Sequence, residues 1–122
     1  MAKPPNPFVE RCVALLTPLG PVRARAMFGG HGIFLDDLMF ALVAWDRLFF
    51  RIDDETKTRF AEAGAEPFVY DGGGRSITMA YYEAPDGSLA DSDSLMPWAE
   101  LGLAAARRNR KKNPKKPRKR SA

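Results

Sequence analysis

His31 is the only histidine of the 122-residue chain, and Gly29, Gly30 and Gly32 surround it. Glycines beside an imidazole suit a phosphate loop, a catalytic base or a plain turn, and each makes its own demand. A dinucleotide fingerprint needs a third glycine and a following helix. Here Leu35 stands at that position, and the run continues as a strand pattern. Residues 72–76, GGGRS, resemble the end of a phosphate loop, but its first glycine would fall at Val69, and Arg75 replaces the lysine. A Ser-His or Cys-His site needs one histidine, with Ser76 or Cys12 as nucleophile. Cys12 falls on the apolar side of a helix pattern, where a thiol packs inertly. Ser76 lies outside any G-x-S-x-G elbow. Zinc needs several Cys or His ligands, and DSDSLM lacks the glycine and the distant glutamate of a calcium loop. The reading therefore names no catalytic residue, no cofactor-binding residue and no metal ligand. Gly29, Gly30 and Gly32 are assigned to a structural turn or bulge, where a side chain would clash or φ must be positive.

Charge carries the strongest signal. The net charge of +4 hides a division. Residues 107–122 hold Arg107, Arg108, Arg110, Lys111, Lys112, Lys115, Lys116, Arg118, Lys119 and Arg120 and no acid, while the other 106 residues sum to −6. Prolines and like charges oppose packing in such a segment. Runs of this kind attract phosphate backbones through counterion release, without sequence preference. A basic tail of this type also serves solubility, or lies on the protein's own acidic body. The aromatic side chains Phe28, Phe34, Phe40, Trp45, Phe49, Phe50, Tyr81 and Tyr82 are of the kind that stack bases. Strands also favour aromatics for packing, and an acidic body repels nucleic acid, so core or interface packing is expected for them.

The elements that must position these residues follow from periodicity. Residues 1–7 form an extended, proline-rich lead-in. Phe8, Val9, Cys12, Val13, Leu15 and Leu16 follow helical spacing until TPLGP ends the helix. VRARAMF alternates, with one apolar face and one mostly basic face. HGIFLDD, LMFALVAWD and RLFFRID follow with very short connections, as antiparallel hairpins require. The wholly apolar second run suits a central strand covered on both faces. In the next strand Leu48, Phe50 and Ile52 share one face, Phe49 and Arg51 the other. DDETKTRFAEAG reads as a short helix capped by Asp53 or Asp54 and stopped by Gly64. PFVY and SITMAYYEAP are strands around a glycine loop. A last helix, DSDSLMPWAELGLAAARRNRKK, begins near residues 91–94, with Pro97 tolerable only near its first turn. The expected fold is α+β, two-layer, with an antiparallel meander sheet packed with helices in the order α-β-β-β-β-α-β-β-α. The domains are a lead-in (1–7), a folded body (8–106) and a disordered Lys/Arg/Pro-rich tail (107–122).

Cys12 is the lone cysteine, so no intramolecular disulfide forms, and no apolar run reaches the ~20 residues of a membrane span. With no signal peptide read at the start, a soluble, cytoplasmic protein is expected. Both faces of several strands are apolar and helices are few, which suggests a homodimer.

The stretches RAMFGGHGIFLDDLMFALVAWDRLFFRIDD, FAEAGAEPFVYD, ITMAYYEAP and LMPWAELGLAAARR, in this order, resemble the N-terminal domain of the TfoX/Sxy family of bacterial competence regulators. The likeness runs from about Val9 to Arg108. It implies a two-layer α+β domain that pairs into dimers, with no catalytic residues and no cofactor. It also implies an aromatic, often tyrosine, where His31 stands. Longer members promote expression of DNA-uptake genes by helping a cyclic-AMP-responsive transcription factor, and carry a second, helical domain where this sequence has its basic tail.

The expected function is a non-enzymatic regulatory and interaction domain for competence and transcription regulation. It would act through a protein partner such as a transcription factor, with the tail for nucleic acid. The alternative is a nonspecific DNA- or RNA-associated protein in which only the tail binds. A third reading, a small-molecule pocket near His31 and Arg75, stands behind both.

Overall fold

A computed structural model describes residues 7–27, 30–72 and 75–112. Helix α1 (Pro7–Leu16) buries Val9, Cys12 and Leu16, one helical face, and a 3₁₀ turn at Thr17–Leu19 ends it. Six strands follow the expected order: β1 (Arg23–Met27), β2 (Gly30–Leu35), β3 (Leu38–Ala44), β4 (Arg47–Arg51), β5 (Pro67–Gly72) and β6 (Arg75–Glu83). Helix α2 (Lys57–Glu62) separates β4 from β5, and α3 (Ser92–Lys112) closes the chain. All pairings are antiparallel, in the order β1-β2-β3-β4-β6-β5. The meander thus holds through β4. β6 then takes the next place and leaves β5 at the edge, because α2 gives the chain room to skip one position.

Two hairpins turn on paired left-handed residues: Asp36 (φ 52°) with Asp37 (φ 65°), and Trp45 (φ 55°) with Asp46 (φ 56°). Positive φ at both central residues is the type I′ geometry, whose twist matches that of the strands it joins. Aspartate tolerates it; for tryptophan it is strained.

The main core lies between the sheet and α1 and α3. Ile33, Leu35, Phe40, Ala41, Val43, Leu48, Phe50 and Ile52 meet Cys12, Leu16, Leu95, Ala99, Leu103 and Ala106. Phe40 and Ala41 are consecutive yet both face this core. The register explains it: Ile33 pairs with Ala41 and Phe34 with Met39, so Phe40 is the extra residue of a bulge. Helix α3 comes close over this point, because a Cβ on Gly102 would stand 3.0 Å from Phe50 and 3.3 Å from the Phe40 carbonyl. At the opposite end of β3, a Cβ on Gly30 would lie 2.2 Å from the Val43 carbonyl oxygen, so only glycine fits there. Gly32 sits within β2, paired with Arg25 and Leu42.

Two expectations need adjustment. Pro97 stands well inside α3 rather than in its first turn. Its exposed ring leaves the packed face free, and the cost is one helix hydrogen bond. The helix runs to Lys112, as its sequence pattern predicts, and so takes in residues 107–112, which charge places in the disordered tail. Arg108 shows why. Its guanidinium bonds both carboxylate oxygens of Asp53, at 2.6 and 3.1 Å, and reaches Glu55 at 3.3 Å. Asp53 meanwhile accepts the Glu55 and Thr56 backbone N–H groups and so shapes the turn before α2. Asp91 caps α3 by accepting the Ser94 N–H at 2.8 Å.

Gly30→Ala is expected to cost about 2–3 kcal/mol, because backbone rather than a flexible side chain must move. Urea unfolding would show it as a lower midpoint at unchanged slope. The Arg108 guanidinium holds the Asp53 carboxyl down at about 2. A depressed acid stabilises fully above its unfolded value and loses that contribution as pH falls through its folded value. Asp53→Asn, which keeps the turn acceptor, should therefore cost about 1–2 kcal/mol at pH 7. Its difference from the parent should vanish between pH 4 and pH 2 in parallel denaturation curves.

Candidate nucleic-acid and partner interface

The cations named from sequence divide in the structure. On α3, Arg107, Arg110 and Lys111 are exposed, while Arg108 is half-buried in its clamp with Asp53. Arg110 donates to the Asp37 carbonyl at 3.2 Å, tying the helix end to the β2–β3 turn. Lys112 ends the helix, and Lys115, Lys116, Arg118, Lys119 and Arg120 lie outside the described residues, as does Gly29. Helical dipoles favour cations at this end, so the sequence continues the helix where charge alone argued for a tail.

The sheet face away from the helices is the second feature. Leu42, Phe49, Phe68 and Tyr81 form a small cluster of their own there, joined by Met39 and Ala44. Phe49 packs edge-on against Phe68 at 4.9 Å, and Trp45 tilts over Phe68 at 5.4 Å. Strand alternation puts arginines over these rings. Arg47 covers Phe49 at 5.4 Å, Arg51 covers Tyr81 at 5.7 Å, and Arg25 covers Phe34 at 5.8 Å. Each guanidinium is attracted by the ring face beneath it, and the Nε of Arg51 is buried there. Arg47 spends two of its N–H groups on Glu83, at 2.6 and 3.1 Å. Burial pushes the Tyr81 hydroxyl up, against the charge and hydrogen bond of Arg51. Trp45, 63% exposed, stands at the rim of this face.

The sequence reading assigns no role to these arginines, although the signal is present, and it places Trp45 among the rings expected to pack in the core or at an interface, where the structure leaves it exposed. Arg23 and Arg25 alternate along β1, and Arg47, Phe49 and Arg51 alternate along β4. Of the residues weighed for chemistry, Cys12 is fully buried, and burial pushes its thiol up to about 12. His31 is half-buried in β2, opposite Ala26 and Val43. The side chains of Ser76 and Arg75 lie outside what is described. Among the described residues no group of three or more His, Cys, Asp or Glu side chains could hold a metal, and no helix is long and apolar enough to cross a membrane.

Comparison with known proteins bears on the whole of this arrangement. The chain is 36% identical over 77 residues to the DNA transformation protein TfoX1 of Aliivibrio fischeri, covering 63% of this chain and 37% of that protein. It is 26% identical over 91 residues to Protein Sxy of Escherichia coli, covering 75% and 44%. The chain thus spans less than half the length of either relative. The model of the TfoX N-terminal domain matches residues 14–106, from within α1 through the packed part of α3. The six-stranded sheet, its helix layer and this match agree: the chain belongs to the TfoX N-terminal domain family.

Proposed function

We propose that this protein is a non-enzymatic regulatory domain of the cytoplasm that acts in DNA transformation by engaging a protein partner such as a transcription factor. Its relationship to a DNA transformation protein supports the pathway. The observation that carries a partner role is Trp45. A bulky residue held in the left-handed region costs about 1–2 kcal/mol, and such strain concentrates at functional sites. Tryptophan is also a favoured anchor of protein interfaces, and this one is exposed, braced from behind by Phe68. The buried, protonated Cys12 thiol supports a role without covalent chemistry. The basic C-terminal segment serves nucleic acid in this reading, and the domain works as a homodimer.

Removal of the protein from its host should lower the frequency of transformation by added DNA, and its return should restore it. Trp45→Ala should fold with a melting temperature within a few degrees of the parent and fail to restore it. Full restoration by that variant would remove Trp45 from the partner surface, and unchanged transformation on deletion would remove the pathway.

A further inference from the structure

We infer that the exposed edge of the sheet, Arg23 and Arg25 on β1 beside Phe34, joins the basic end of α3 in one continuous binding strip for the phosphate backbone of DNA. This rests on the reading that the basic C-terminal segment contacts nucleic acid, and assigns part of the binding to the folded body.

Asp37 is the point where the two meet. Its carbonyl accepts from Arg110 at 3.2 Å, and its carboxylate faces Arg23 at 3.5 Å. The Arg23–Asp37 pair is 72% and 86% exposed, so it contributes little and is free to exchange for another anion. Arg23, Arg25, Phe34 and Asp37 line an open cleft of about 300 Å³. Arg25 stands over the Phe34 ring at 5.8 Å and is exposed, so the ring face holds its charge at the mouth of this cleft. Lys112 stands only ~3 Å of helix rise beyond Arg110.

The shape of this charge selects its partner. Arg23 and Arg25, two apart on a strand, project side by side at ~7 Å spacing. Arg107, Arg110 and Lys111 continue the strip along α3. Asp36 and Asp37 are the acids at the turn in its middle. An elongated run of cations dominated by planar guanidinium forks fits a polymer with one negative charge per ~1.7 Å of axis better than a short acidic peptide.

The test is fluorescence anisotropy of a labelled 30-base-pair duplex, titrated across a salt series with the full chain. The variants are Arg23→Ala/Arg25→Ala and, as a control for net charge, Lys57→Ala/Arg59→Ala on α2. All four side chains are exposed, and circular dichroism and melting temperature check that each variant folds. The edge variant should weaken binding about tenfold and lower the salt slope by about 2, one for each phosphate that an arginine no longer neutralises. The α2 control should match the parent. Equal binding by parent and edge variant would overturn the inference while leaving the C-terminal segment as the binder. No binding by the parent even at 50 mM salt would overturn both this strip and the nucleic-acid reading it rests on. Displacement of the duplex by polyglutamate at equal charge concentration would overturn it in favour of an acidic protein.

Discussion

A six-stranded antiparallel sheet has two faces to keep from water, and this chain supplies helices for one of them. Everything else in the structure answers that constraint. On the covered side a single long helix must lie close enough to seal β3 and β4. Gly102 permits the approach, and the bulge at Phe40 turns an extra ring toward the helix. On the other side the described residues place no helix. Phe49 is covered instead by Arg47, Tyr81 by Arg51 and Phe68 by Trp45. The seal leaves a surface that is aromatic beneath and cationic above.

Helix α3 serves both sides of this division. Its first half is core, through Leu95, Ala99, Leu103 and Ala106. Its last turns are basic, so repulsion among like charges works against the favour that the helix dipole gives cations at this end. Arg108 supplies a tether, because its contact with Asp53 links the helix to the turn that follows β4. Arg110 supplies another at the β2–β3 turn. The helix end is held by two of the cations that make it basic, which leaves Arg107 and Lys111 exposed on a fixed scaffold.

Much of the fold is legible in the sequence. Alternation in RARAM and RLFFR, helical spacing in α1, and connections too short for crossovers specify the strands and their antiparallel sense. What periodicity cannot show is tertiary. The continuous apolar run of β3 gives no sign of which residue bulges, since Phe40 and Ala41 declare themselves only against Ile33. The Trp45-Asp46 turn lacks the usual Asn-Gly signature, so its left-handed geometry is imposed by the pairing of its flanking strands. Composition alone puts a boundary near residue 107. Composition cannot see that an arginine just past the core finds a carboxylate 55 positions earlier.

The electrostatics show most clearly why a chain total misleads. A body charge of −6 argues against nucleic acid on the fold only if that charge is spread evenly. Surface fields decay within ~8 Å at physiological salt, so a partner responds to the charges of the face it meets. The acids of α2 and its preceding turn, Asp54, Glu55 and Glu62, belong to the helix layer. The face opposite carries Arg23, Arg25, Arg47 and Arg51, with Glu83 already engaged by Arg47. Alternation along each strand is what separates them: residues adjacent in sequence face opposite sides of the sheet, so the same six strands that bury a core also sort the arginines onto one surface. A protein acidic over most of its length thereby gathers its strand arginines where its sheet is bare, Arg47 beside Glu83 and Glu66 and Arg23 beside Asp37.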